Sequence, residues 1–433
     1  MKHLGVLNIF FLSAVMFLTA CSNSNSDLPE EPQTPALPIV EITTDNGEAL
    51  TCDYITAPEG SKGQGIANAN KVGGRMMITH YGEKLYDSGH YSDGISGMTI
   101  KIRGNSSAWE PKKPYRIKLQ QPADLLFRND EKIYRDKDWL LIRDWQASPY
   151  ILIGTMVNEL VGLQWTPRFK YVNLVLNGEY LGLYALIESV KQNRRCRLNV
   201  SRTGYIVELD PYWWNEDVYF ETLMTQEPIL KYTFKCPDTD ELTLANIDYI
   251  RDYINAFDEG LVYKNHFSEY IDTTSFASWL LGQDILGNID ALGTNIFMTK
   301  YDNTPDTKLE MGCLWDFDYI MMSTDTWSES HNLSYFVRLL NNGRDRSFAN
   351  AYKKKWYEVK DTLFDTVIQR LESFVESEEG QAYERAMIQD CKKWGWSPPD
   401  LRQLINKAEA WFENRKKWLE TAIEGMEQTE NRK

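Results

Sequence analysis

Residues 172–188 read VNLVLNGEYLGLYALIE, and this stretch decides the first half of the fold. Asn177-Gly178 supplies two residues that take positive φ readily, and β-branched, aliphatic and aromatic residues flank them from Tyr171 to Leu176 and from Tyr180 to Leu186. That is the pattern of a hairpin with a two-residue turn. Upstream, Ile39-Val40-Glu41-Ile42, Met76-Met77-Ile78-Thr79, Met98 to Arg103 and Tyr115 to Leu119 read as more short strands. Gly60 to Gly74 reads as a polar loop. Ser148 to Leu163 has helical spacing, with Ser148 as the N-cap and Pro149 at the first helical position. Beyond about Asp240 the runs are helical: Asp248–Leu261, Thr274–Leu286, Phe348–Glu378 and Pro399–Gln428. Strands first and helices second predict an α+β protein in two lobes.

The composition bounds the function. The chain has 433 residues, of which 42% are hydrophobic and 13% aromatic, which is enough to bury a sizeable core. The net charge of −15 argues against a nucleic-acid partner, because a phosphate backbone is repelled by most of such a surface. A local phosphate site stays open, since overall charge does not fix a local field. Five cysteines follow Cys21, odd in number and with no C-x-x-C pair, so neither a disulfide framework nor a zinc site is expected.

The N-terminus carries an address. Lys2 and His3 precede an apolar run from Leu4 to Leu18, too short for a comfortable membrane span. Leu18-Thr19-Ala20-Cys21 resembles the lipobox of bacterial lipoproteins. The resemblance implies a signal peptide over 1–20, acylation of Cys21, and attachment to a membrane at the cell envelope, periplasmic or surface-exposed. Residues 21–37 are mostly Ser, Asn, Pro and Glu and read as a flexible tether.

Three constellations carry candidate chemistry. The first is Arg103-Gly104-Asn105-Ser106-Ser107, a turn able to cradle phosphates, followed by Lys118, a point charge on the next strand. An edge hairpin with a basic rim fits the same residues. The second is Asp290 and Asn295, whose D-x-x-x-x-N spacing is that of a kinase catalytic loop and also arises by chance at helix ends. The third is Asp316-Phe317-Asp318, two carboxylates amid aromatics in what reads as a buried strand. Such carboxylates suit a hard cation such as Mg²⁺, or they point to solvent on alternate positions. The order of these parts is that of a phosphoryl-transfer enzyme.

The stretches RGNSSAWEPKKPYRIKL (103–119), KDWLLI (137–142), VNLVLNGEYLGLYALIE (172–188), LGNIDALGTNIFM (286–298) and LWDFD (314–318) resemble the CotH (spore-coat protein H) family of atypical protein kinases. The resemblance runs from about Pro38 to Trp394. It implies a bilobal kinase-like fold, with an N-lobe over about 38–190, a C-lobe over about 191–394 and a C-terminal helical extension over 395–433. It also implies ATP and Mg²⁺ as cofactors and a protein phosphoacceptor as partner. Carried over by position, Lys118 is the ATP-phosphate lysine and Arg103, Gly104, Asn105 and Ser106 form the loop near the phosphates. Glu188 falls at the adenine-contacting hinge, and Glu159 is a candidate ion-pair partner for Lys118. Asp290 is the catalytic aspartate, Asn295 a Mg²⁺ ligand, and Asp316 or Asp318 the metal-holding aspartate. The chain has Gly312-Cys313 where the family commonly has Gly-Pro, and Ile153-Gly154 where it often has Arg-Asn. A catalytically silent surface lipoprotein that binds glycan or protein is the alternative reading. A glycoside hydrolase using Asp316 or Asp318 with Glu208 or Asp210 would need carboxylates facing across a cleft.

Overall fold

The computed structural model describes residues 34–128, 132–144, 148–225, 229–293 and 295–430. The leader, Cys21 and most of the tether lie outside the described residues. Pro35–Lys433 is one compact unit.

The first half holds β1 (Ile39–Thr44), β2 (Asp53–Thr56), β3 (Gln64–Ala67), β4 (Val72–His80), β5 (Glu83–Asp87), β6 (Met98–Ile102), β7 (Tyr115–Ala123), β8 (Asp136–Ile142), α1 (Tyr150–Leu160), β9 (Phe169–Leu176) and β10 (Glu179–Glu188). Strands β1, β9, β10, β8, β7, β6 and β4 close on themselves as a barrel, because β1 runs parallel to β9 on one edge and antiparallel to β4 on the other. Alternation explains the closure. Every second side chain of β1 is buried, as are Val72, Gly74, Met76 and Ile78 of β4, and these fill the interior with Ile100, Ile117 and Trp139. Asn177 and Gly178 both take positive φ in the turn that the sequence predicts. The Asn177 side-chain oxygen also accepts the Thr44 N–H at 2.8 Å, so the same turn anchors the end of β1.

The second half mixes a sheet with helices: β11 (Tyr205–Asp210), β12 (Tyr219–Phe220), β13 (Lys231–Cys236), α2 (Leu244–Glu259), α3 (Thr273–Leu286), β14 (Ile296–Lys300), β15 (Leu309–Met311), α4 (Ser334–Asn341), α5 (Ser347–Val359), α6 (Leu363–Glu376), α7 (Glu378–Trp394) and α8 (Leu401–Glu430). The sheet order is β12-β13-β11-β14-β15. Helix α3 is buried along nearly its whole length and is the axis of the large core. The architecture is the expected bilobal α+β one.

Four local expectations change. The Gly60–Gly74 stretch is not all loop, since β2 and β3 pair across it as a separate hairpin. The helical run Phe348–Glu378 breaks at Lys360-Asp361-Thr362. Pro149 sits at φ −79°, ψ 47°, outside the helical region, and the Asp144 carboxylate rather than Ser148 accepts the Ile151 N–H at 2.9 Å. Residues Leu314 to Asp318 form no strand, and Asp316 turns the backbone into the left-handed region at φ +64°. No helix among the described residues is long and apolar enough to cross a membrane.

Candidate active site

Arg103 follows the last residue of β6, and Gly104 turns the chain at φ +100°. A Cβ at Gly104 would lie 2.4 Å from Ser107 Oγ, so this turn requires glycine. Asn105 and Ser106 lead into a short 3₁₀ turn, where the Ala108 N–H bonds the Asn105 carbonyl at 3.1 Å. The β2–β3 hairpin lies against it, held by Trp109 Nε1 donating to the Gly65 carbonyl at 2.9 Å. Ser106 hydrogen-bonds Tyr212, whose hydroxyl also lies within electrostatic reach of Asp290 and Asp316. The Arg103 guanidinium faces Asp316 and Glu208. Burial lowers its pKa, and those two carboxylates oppose the shift. The turn and the carboxylates therefore lie side by side in the fold.

Asp290 lies on the loop after α3. Gly287 ends the helix at φ +54°, packed under Trp411 of α8. Asn288 is buried and holds the loop. Its side-chain oxygen accepts the Asp290 N–H at 2.9 Å, and its amide nitrogen donates to Gln283 at 3.0 Å and to the Asp316 carbonyl at 3.4 Å. Asn295, at φ +58°, brings its amide to 3.4 Å from Asp316 Oδ2. The sequence-predicted Asp290, Asn295 and Asp316 are thus brought together.

Asp318 joins them. Burial, then Asp316, push its carboxyl up to about 8, with Asp144 and Asp290 adding to the rise and Arg143 opposing it. Asp290 rises to about 6 through burial and Asp316. Asp316 keeps an opening to solvent but is crowded by protein, and that desolvation raises it. The Asp318 N–H, Arg103, Arg143 and Asn295 pull the other way. The site is a group of carboxylates that repel one another with two guanidinium groups beside them.

Three sequence candidates lie elsewhere. Lys118 is exposed on the outer barrel face and pairs across from Thr99, four residues along β6 from Arg103 or roughly 13 Å. Glu188 is fully buried, with its carboxylate 2.8 Å from Arg128 Nη1 and accepting the Arg168 N–H at 3.0 Å. Its acceptor atoms are engaged inside the fold. Glu159 pairs with Arg168 at 2.7 Å and Arg370 at 3.3 Å rather than with Lys118, because α1 turns that side chain toward α6.

The structure adds residues that sequence reading passes over. Arg143, one residue beyond β8, faces both Asp316 and Asp318. Asn158 of α1 is fully buried. Its oxygen accepts the Leu314 N–H at 2.6 Å, and its nitrogen donates to the Trp165 carbonyl and Thr166 Oγ1. Gly154 lies against the Phe317 ring, where a Cβ would come within 2.1 Å. The Ile153-Gly154 departure therefore has a physical reason: Phe317 occupies the space that a side chain would take. A polar Asn amid the apolar positions of α1 was the one available signal for this helix–segment bond.

The donor set fits a magnesium ion. Mg²⁺ takes hard oxygen ligands, one or two from carboxylates and the rest from phosphates and water. Asp316, the Asn295 amide and Asp318 offer oxygens of that kind, and the mutual repulsion of the carboxylates favours uptake of a cation. No group of three or more His, Cys, Asp or Glu residues stands close enough among the described residues to form an all-protein metal cage. A site of this type would be completed by its substrate. No curated protein matches the chain. The family described as CotH kinase protein matches residues 100–419, which span the Gly104 turn, the Asp290 loop, Asp316, Asp318 and most of α8. The chain belongs to the CotH kinase protein family.

Proposed function

We propose that the chain is a Mg²⁺-dependent protein kinase that transfers the γ-phosphoryl group of ATP to a protein hydroxyl at the cell envelope, held there by a lipid anchor on Cys21. The convergence of Asp290, Asn295, Asp316 and Asp318 on one site facing Arg103 carries this reading. In the reaction the acceptor oxygen bonds the γ-phosphorus, the bond from that phosphorus to the β–γ bridging oxygen breaks, and ADP leaves. A bound Mg²⁺ supplies charge neutralisation at the phosphates. Asp290 orients the acceptor hydroxyl and takes its proton. Asn295, Asp316 and Asp318 would hold the ion through their side-chain oxygens. Arg103 makes no side-chain hydrogen bond among the described residues, so its donors are available to phosphate oxygens, which planar guanidinium groups match well. Gly104, Asn105 and Ser106 keep the turn beside it.

Calorimetry with ATP, with and without Mg²⁺, tests this on the wild type, Asp316→Ala and Asp290→Ala. Mg²⁺-dependent binding that falls at least tenfold in Asp316→Ala but survives in Asp290→Ala is expected, since Asp290 acts on the acceptor rather than on the nucleotide. A folded wild type that binds no nucleotide with any divalent metal would leave a surface-binding scaffold as the better account.

A further inference from the structure

Large apolar side chains exposed singly on a surface need no explanation, but several gathered at one site do. Ile289 (40% exposed), Leu292 (46%), Tyr319 (40%) and Met322 (56%) all lie on the two segments that carry Asp290, Asp316 and Asp318. Ile289 and Leu292 bracket Asp290 in sequence, while Tyr319 directly follows Asp318. The two segments are laced together. The Ile289 N–H donates to the Tyr319 carbonyl at 3.2 Å, and the Met321 N–H donates to the Leu286 carbonyl at 2.7 Å. Met321 takes φ +60°, a conformation that a non-glycine residue adopts only where its surroundings hold it, and this turn leads into Met322. Gly293 packs against Leu230, which fixes the far end of the Asp290 loop. The apolar groups thus stand on braced backbone beside the candidate catalytic aspartate.

We infer that Ile289, Leu292, Tyr319 and Met322 form the docking shelf for the phosphoacceptor, an extended peptide segment whose hydroxyl residue is flanked by apolar side chains and lacks a carboxylate beside it. This rests on the kinase reading above. Ile289 adjoins Asp290 in the chain and its N–H is bonded to the Tyr319 carbonyl, so whatever covers the shelf lies next to the group that the acceptor hydroxyl must meet. Charge supplies the second half of the argument. Asp290 stands at the same corner and takes no part in holding the ion, so an acidic residue next to the acceptor hydroxyl would be repelled by it. Apolar contact supplies affinity and the Asp290 carboxylate supplies exclusion.

The test is an arrayed positional library of Ser-, Thr- and Tyr-centred peptides with Mg²⁺ and radiolabelled ATP. It compares the wild type, Leu292→Ser and Met322→Ser, with Leu244→Ser as control at an exposed apolar position on α2. Selection for Leu, Ile, Met or Phe and against Asp and Glu at the positions flanking the hydroxyl is expected. A fivefold or larger rise in peptide KM with little change in kcat is expected for both shelf variants, and wild-type behaviour for Leu244→Ser. A flat library, or shelf variants with unchanged peptide KM, overturns the inference. So does a wild type that binds Mg²⁺–ATP yet phosphorylates no peptide, an outcome that leaves the nucleotide site standing. Failure to bind nucleotide at all overturns both readings. A wild-type dimer that dissociates in Leu292→Ser would assign the shelf to self-association instead.

Discussion

Lys112 Nζ lies 2.7 Å from Asp390 Oδ1, and the two side chains are 2% and 0% exposed although 278 residues separate them. The lysine comes from the Pro-Lys-Lys-Pro segment before β7 and the aspartate from α7, so this pair ties the barrel to the C-terminal helices. The surroundings are built for it. Lys112 also donates to the Leu183 carbonyl at 2.6 Å, and Asp390 accepts the Leu183 N–H at 2.9 Å. Gly182, at φ +102° in the bulge of β10, leaves room that a Cβ would close to 1.9 Å from Asp390 Oδ1. Burial pushes the lysine down and the aspartate up, while each partner opposes the other's shift.

Removing one partner strands a buried charge. Asp390→Ala is expected to cost about 3–5 kcal/mol, and the apolar pair Lys112→Met with Asp390→Leu to recover much of it. Chemical denaturation of the two single variants and the double variant checks this. A double variant no more stable than Asp390→Ala counts against the account.

Gly154→Ala tests whether α1 positions the metal-type aspartates through Phe317. A methyl group there must displace the ring, at a cost of about 1–3 kcal/mol. Mg²⁺–ATP affinity is expected to fall with it, because Phe317 lies between Asp316 and Asp318 in sequence. Unfolding and nucleotide calorimetry on the same preparation would register both effects. A stability loss with unchanged affinity would make Gly154 a packing residue only.

Arg103→Ala and Lys118→Ala separate the two basic candidates. The geometry predicts a tenfold or greater loss of Mg²⁺–ATP affinity for Arg103→Ala and a change below threefold for Lys118→Ala, about 1.4 kcal/mol against well under one. The reverse order would return Lys118 to the phosphate role that its place in the sequence suggests.

Asp258 gives a pH signature away from the site. Burial raises its carboxyl to about 6, against hydrogen bonds from Thr222, the Met224 N–H and Tyr335. A carboxyl whose folded pKa lies above its unfolded value binds more protons in the native state. Its contribution to stability is therefore greatest at low pH and declines as pH rises from about 4 to 6. The span corresponds to roughly 3 kcal/mol. The stability of the wild type relative to Asp258→Asn should fall between pH 4 and pH 7 and then level off. A pH-independent difference would contradict the shifted carboxyl.

What could be read in advance followed locality. The hairpin over 172–188 was legible because Asn177-Gly178 encodes its turn within two residues. Barrel closure was not, because β1 meets β9 across more than a hundred residues of chain and nothing in Ile39–Thr44 names that partner. Strands β11 and β13 were passed over for a different reason. Val207-Glu208-Leu209-Asp210 and Lys231-Tyr232-Thr233-Phe234-Lys235 do alternate apolar and polar residues, but Glu208 and Lys235 pair with each other inside the fold at 2.9 Å, so the polar positions mark no solvent face. At the site, the spacing of Asp290 and Asn295 identified a loop, and the fold brings that loop to Asp316. The left-handed turn at Asp316 had no glycine to announce it, so the segment read as a strand. Arg143 and Asn158 act on residues more than 150 positions away, a relation that exists only once the chain has folded.

Helix α8 has a consequence in time. Arg415 is fully buried, with Nε donating to the Asp284 carbonyl at 2.7 Å and Nη1 to the Thr326 carbonyl at 2.6 Å, while Trp411 covers Gly287. These contacts back the loop that bears Asp290, and they come from a helix that leaves the ribosome after that loop. During synthesis the barrel, the turn at Gly104 and the Asp316 segment all emerge before that backing exists. A nascent chain carries every proposed catalytic group without the support that sets their spacing. Competence is deferred until α8 docks.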